Sequence, residues 1–167
     1  MKKTILLLTL LLLSIQFFAQ DKATRPSPPA QLTTSINGKS IVIDYSQPAV
    51  NGREIWGKLV PYGQVWRAGA NETTAFTTSN DIAVEGKALS AGKYAFFVIP
   101  NEKEWIIIFN KTIKWGAFSY KQDEDVLRVT VPVKKAKKFY ERLTYEVSSK
   151  NEISLLWENV KVSFKIK

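Results

Sequence analysis

Between Gln47 and Asn71 the chain reads QPAVNGREIWGKLVPYGQVWRAGAN, and its polar side chains are of kinds that fix a ligand. Arg53 and Arg67 offer a planar fork of donors suited to a carboxylate or phosphate, Asn71 both donates and accepts, and Glu72 accepts or exchanges a proton. Tyr45, Trp56, Tyr62 and Trp66 are interleaved with them, and Trp115 and Tyr120 recur later in WGAFSY. A flat aromatic can cover the apolar face of a sugar ring while Arg and Asn at its edge take the hydroxyls. The residues expected to line a ligand site are therefore Tyr45, Arg53, Trp66, Arg67, Asn71, Glu72, Trp115 and Tyr120. The same residues also fit a plainer use, in which Arg67 pairs with Glu72 or Asp44 to clamp a loop onto a sheet and the aromatics fill a core.

Catalysis is narrowed by what is missing. With no histidine, a Ser-His-Asp machine, imidazole zinc ligands and a histidine proton shuttle are all excluded. With no cysteine, disulfides, thiolate metal sites and a lipidated N-terminal cysteine are excluded as well. The acids in or beside the segment are Asp44, Glu54 and Glu72, with Asp44 and Glu72 the candidates for an acid/base pair whose separation would set retaining or inverting glycosidase chemistry. No spacing rule links them. Asp123, Glu124 and Asp125 form an acidic run without the alternating ligands and glycine of a calcium loop, so it reads as a solvated turn, and no metal or cofactor is expected.

The elements that must position these residues follow from period-two patterning. QLTTSINGKSIVIDYS sets Asn37-Gly38 between two strand-like runs, the strongest short hairpin signal. TTAFTTS and IAVEGKAL read as strands, the latter turning at Glu85-Gly86-Lys87. KYAFFVIP and EWIIIFN form a hairpin across Asn101-Glu102-Lys103, so apolar that it belongs at the buried centre. VLRVTVPV puts Leu127, Val129, Val131 and Val133 on one face, and FYERLTYEV does the same for Phe139, Leu143, Tyr145 and Val147. NVKVSFKIK sets Val160, Val162, Phe164 and Ile166 against lysines and a serine, and Trp105 and Trp157 belong to the core. Roughly ten short strands and no long helix predict an antiparallel β-sandwich, with a closed barrel as the alternative. Lys134, Lys135, Lys137 and Lys138 read either as a solvated loop between strands or as a patch drawn to anionic lipid.

At the N-terminus, Lys2 and Lys3 precede an apolar run, the pattern of a secretory signal peptide over residues 1–19, cut after Ala19 or Gln20. Residues 20–30 read as an extended Pro-rich lead-in, and 31–167 as one β domain. An exported protein, periplasmic or extracellular, with no transmembrane anchor after cleavage is the expectation. The net charge of +9 loses only Lys2 and Lys3 on cleavage, so the mature chain stays basic and suits polyanions or anionic surfaces. No nucleic-acid motif is present.

The motifs IDYSQPAVNGREIWGKLVPYGQVWRAGANETTAFTTS, LSAGKYAFFVIPNEKEWIIIFN, WGAFSY, DVLRV and LLWENVKVSF follow one another in an order that resembles the domain-of-unknown-function family numbered twenty-nine eleven, over about residues 26–167. The family pattern carries Arg in a YSRP-like motif where this chain has Gln47. The resemblance implies an extracytoplasmic, single-domain, largely β protein of the kind secreted by Gram-negative bacteria, and it brings no activity, substrate or catalytic residue. From the residues themselves, the expected function is a non-catalytic binding module for a glycan or other polar envelope component. A carboxylate-based hydrolase, or a structural domain that docks a protein partner, is the alternative.

Overall fold

The computed structural model describes residues 24–167; the expected signal segment, residues 1–19, lies outside the described residues, as do residues 20–23. Nine strands follow in chain order: β1 Pro29–Ile36, β2 Lys39–Ser46, β3 Ala75–Thr78, β4 Ile82–Val84, β5 Lys87–Leu89, β6 Gly92–Ile99, β7 Glu104–Asn110, β8 Asp125–Val147 and β9 Glu152–Lys165. Seven of them form one sheet in the order β1-β2-β3-β6-β7-β8-β9, with β4 and β5 in a small second sheet. Every pairing is antiparallel. The large sheet curls: Ala49, just past β2, bridges Arg142 in the far half of β8, and Ile166 at the end of β9 bridges Val84 of β4. The fold is all-β, as the patterning predicts, and takes the form of a sandwich or half-barrel.

Local chemistry accounts for the hairpins. Asn37 and Gly38 both take positive φ, 52° and 78°, as do Glu85 and Gly86 at 49° and 81°, the geometry whose twist matches two antiparallel strands. β6 and β7 lie mid-sheet and are covered on both faces. Phe96, Val98, Trp105, Ile107 and Phe109 enter the main core, while Ala95, Phe97 and Ile108 form a second small cluster on the other side. Each such side chain removed from water contributes about 1.5–3 kcal/mol, so this central hairpin anchors the fold.

Two readings of the C-terminal third need correction. The four lysines of residues 134–138 do not sit in a loop, because β8 runs unbroken through them. Nor is the set Phe139, Leu143, Tyr145 and Val147 buried along its length: Phe139 is 51% exposed and Val147 38%, whereas Leu143 and Tyr145 are buried. For Phe139 the cause is the irregular register against β9, which shifts between Lys135 and Tyr140 and again between Tyr140 and Thr144, whereas Val147 keeps register with Tyr145 and is exposed as the last residue of β8. Extra residues in one strand of a pair bulge it and flip the alternation, so Ala136 takes the inward place among the lysines.

Candidate functional site

The irregular segment after β2 is held by hydrogen bonds at nearly every step. Val50 N–H donates to the Glu141 carbonyl at 2.8 Å, and Leu143 N–H to that of Pro48 at 3.0 Å, tying the segment to β8. Trp66 exchanges both backbone bonds with Val98, at 2.8 and 2.9 Å, and so continues along the side of β6 that β3 occupies further on. The chain then turns sharply through Ala68 and Asn71, both at positive φ (51° and 57°). The buried Ala68 carbonyl accepts from the Tyr145 hydroxyl at 2.9 Å and the Thr74 hydroxyl at 3.2 Å. Gly69 is required here for space, since a Cβ would stand 2.7 Å from Thr74 Oγ1 and 3.4 Å from the Ser46 carbonyl. The Trp66 indole closes the turn by donating to the Gly69 carbonyl at 3.0 Å. Arg67 is thus carried on a backbone fixed on both sides.

Arg67 faces a cavity of about 230 Å³ that Arg53, Trp66, Trp157, Pro48 and Gly69 also line, and no carboxylate is among its lining residues. Behind it Trp56, Trp66, Trp105 and Trp157 pack as a group: Trp66 stacks on Trp157 at 5.8 Å, and Trp56 lies 4.8 Å from Trp105 and 5.7 Å from Trp157. Among the described residues Arg67 makes no ion pair, and its buried Nε has no hydrogen-bond partner. Burial lowers the pKa of this guanidinium from its ordinary value, although an arginine keeps its charge. Arg53 directs Nε to the Val50 carbonyl at 3.1 Å and Nη2 to the Ala49 carbonyl at 2.5 Å, which leaves its charge without a carboxylate. The indole N–H groups of Trp56 and Trp157 are likewise buried and unpartnered. An unmade hydrogen bond at a buried donor costs about 1–3 kcal/mol, and here three such donors lie in and behind one arginine-lined cavity. These three nitrogens are enclosed, so what the cavity itself presents is the half-buried Arg67 and the exposed Arg53, with no acid beside them.

The remaining candidates are placed elsewhere. Asn71 donates to the Ser27 carbonyl at 2.9 Å, and Glu72 accepts from Arg25 at 2.8 Å. Together with Gln47 N–H on the Pro28 carbonyl they fasten the end of the lead-in, and β1 runs from Pro29. The clamp expected between Arg67 and Glu72 or Asp44 does not form. Asp44 accepts from Gln31 at 2.6 Å, and it lines a second cleft of about 170 Å³ with Tyr45, Glu72 and Thr73. Tyr45 is buried edge-on against Tyr145 at 4.7 Å, a core position. Tyr120 packs on Phe97 and donates to Asp125 at 2.7 Å, while Trp115 is 63% exposed, and neither lines the Arg67 cavity. Glu54 is exposed. A roomier depression of about 420 Å³ lies beside Tyr62 and the β6–β7 turn, but its lining residues are exposed and carry no unmet donor. No group of acidic residues among the described residues is arranged to hold a metal ion, and no helix there is long and apolar enough to cross a membrane.

Sequence reasoning placed Trp157 in the core alone, and it is buried; its second role as a wall of the cavity depends on β9 meeting the Gln47–Asn71 segment across the fold. No local signal in the sequence marks that role; the backbone break that follows at Glu158, with φ 56°, shows only in the fold. Compared with known proteins, residues 27–166 match a family model described as protein of unknown function (DUF2911). The chain belongs to that family. No curated protein and no solved structure matches it.

Proposed function

We propose that this protein is an exported binding module whose Arg53–Arg67 cavity takes the anionic group of a polar envelope component, such as the carboxylate of an acidic glycan. The observation that carries the reading is a half-buried Arg67 with no ion-pair partner among the described residues, in a cavity whose lining holds two arginines and no acid; the unpartnered indole N–H groups of Trp56 and Trp157 are enclosed behind it. At about 230 Å³ the cavity is smaller than the usual 300–1,000 Å³ of a drug-sized site, so it suits one ring or terminal group and not a length of polymer. Trp66 and Trp157 would supply the apolar wall, and Arg67 a charge-assisted bond to the acid.

The test follows intrinsic tryptophan fluorescence during titration with glucuronate, inorganic phosphate and glucose, because two indoles line the cavity. Saturable quenching or shift with the anions and none with glucose is expected. Equal responses to glucuronate and glucose would contradict an anion site, and no response to either anion would remove it. A second reading, glycan hydrolysis by carboxylates, has one observation in its favour: Asp44 and Glu72 line the same cleft. Both are already engaged, by Gln31 and Arg25, and the reading requires hydrolysis of a glycan that Glu72→Gln abolishes.

A further inference from the structure

A different part of the surface holds large apolar side chains in solvent. In the loop 111–121, between β7 and β8, Phe118 is 85% exposed, Trp115 63% and Ile113 41%, and the two rings stack at 6.1 Å with 17° between planes. This loop is firmly built. Thr73 Oγ1 donates to the carbonyls of Lys114 and Gly116, and Asn110 Nδ2 to the Lys121 carbonyl at 2.9 Å. Thr112 N–H returns a bond to Asn110 Oδ1 at 2.9 Å. Ala117 and Tyr120 turn inward onto the Ala95–Phe97–Ile108 cluster, and Trp115 and Phe118 are left outside. Gly116, at φ +69°, allows Phe118 to fold against its backbone, where a Cβ would meet the ring at 3.1 Å. Two aromatics are therefore presented by a loop pinned at both ends.

The loop's own charge is of one sign, and acids stand only at its base, where the Glu124 carbonyl accepts from Lys111 N–H at 3.1 Å. Residues 111–121, KTIKWGAFSYK, contain Lys111, Lys114 and Lys121 and no acid, and none of the three ammonium groups enters an ion pair among the described residues. The nearest acids in sequence are Asp123, Glu124 and Asp125, and the last of these is turned inward onto Asn110, Tyr120 and Arg128. Glu72, beside the anchoring Thr73, is paired with Arg25. Trp and Phe flanked by lysine suit a planar boundary with an acyl layer beneath and anionic headgroups above, because the indole favours the interface and the lysines meet the charge.

We propose that the loop 111–121 is a membrane-docking element: Trp115 and Phe118 insert into the interface of a bilayer whose anionic headgroups are met by Lys111, Lys114 and Lys121. The surface is separate from the Arg67 cavity, so either assignment stands or falls without the other.

The test uses the chain lacking residues 1–19, which keeps every strand among the described residues, with vesicles of equal parts phosphatidylcholine and phosphatidylglycerol and with vesicles of phosphatidylcholine alone. Co-sedimentation is expected with the anionic vesicles, weakening as salt rises. W115A/F118A should lower the partition at least roughly tenfold, and K111Q/K114Q/K121Q should remove its dependence on salt. Acyl-brominated lipid should quench tryptophan emission in the wild type and fail to do so in W115F. Failure to associate with either vesicle would overturn the proposal and turn attention to a protein partner for the same rings. Association that both multiple variants retain unchanged would place membrane contact elsewhere, for which the lysines of residues 134–138 are the next surface to alter. Because both rings are exposed, the variants should melt with the wild type; if W115A/F118A unfolds, the lysine variant and the W115F quenching still decide.

Discussion

The segments 47–72 and 111–121 are made from similar residues and end in opposite states. Each interrupts the strand pattern, each combines tryptophan, glycine and basic side chains, and each is tied to the sheet by hydrogen bonds. In the first, Trp56 and Trp66 turn into a group with Trp105 and Trp157, and the arginines beside them are left without acids. In the second, Ala117 and Tyr120 take the inward places and Trp115 and Phe118 face water. The difference lies in what each segment crosses. The first bridges the open side of a curled sheet and closes over the inner core, whereas the second lies on an outer face that already has a modest cover. An aromatic residue in an irregular segment is thus core or contact surface according to the face beneath it.

Breaking the two tryptophan environments should separate them most widely. Trp105→Ala removes a fully buried ring from the indole group and should lower unfolding stability by about 3–5 kcal/mol, as other large-to-Ala core changes do. Trp115→Ala should stay within about 0.5 kcal/mol of wild type in the same urea titration. Similar losses in both would show that the outer loop is structural.

The tyrosines sharpen the contrast through pH. Burial raises the Tyr145 and Tyr45 pKa values, and burial with the Asp125 bond takes Tyr120 to about 12. In the unfolded chain these groups ionise near 10, so above that pH the unfolded state binds fewer protons and stability must fall. The contribution is complete below pH 10 and is lost for Tyr120 between pH 10 and about 12. For Tyr145 the slope approaches about 1.4 kcal/mol per pH unit, and Tyr145→Phe should flatten the curve measured by chemical denaturation. That change also removes one of the two hydroxyl donors to the Ala68 carbonyl, leaving Thr74, so it should loosen the turn that carries Arg67 and leave the outer loop untouched.

Gly69→Ala forces a Cβ against Thr74 and should cost about 1–3 kcal/mol, with weakened anion binding because Arg67 is displaced. Gly116→Ala, strained by its positive φ, should cost about 1–2 kcal/mol and leave the anion titration unchanged. Smaller than either glycine change, Glu72→Gln breaks a half-exposed pair with Arg25 and should cost less than about 1 kcal/mol, without effect on the Arg67 cavity.

Much of the fold is legible in the sequence because its signals are local. Asn37-Gly38 and Glu85-Gly86 mark turns through their own backbone preferences, and the unbroken apolar runs of β6 and β7 state that both faces are covered. The bulges of β8 are not legible, because they depend on how its residues meet β9, and they misplace Phe139. At the candidate site, the types and nearness of Arg53, Trp66 and Arg67 are visible from composition and spacing. What the sequence does not carry is the pairing. Nothing local to Glu72 indicates that Arg25 takes it and leaves Arg67 alone, and nothing near Trp157 indicates that it closes the cavity from the other end of the chain. The departure of Trp115 and Tyr120 from the site has the same origin, since the loop is drawn to the outer face by Phe97 and Thr73.

The central claim, that Arg67 is held unpaired for an anionic ligand, is tested most directly by Arg67→Met, followed by glucuronate titration and by thermal melting of the same samples. Methionine keeps much of the apolar stem and removes a charge that has no protein partner among the described residues. The account predicts that melting is unchanged or raised while glucuronate binding weakens at least roughly tenfold, the loss expected of a charge-assisted bond. A variant that binds glucuronate as the wild type does, or one whose melting temperature falls by several degrees, would contradict it and return Arg67 to the role of a structural clamp.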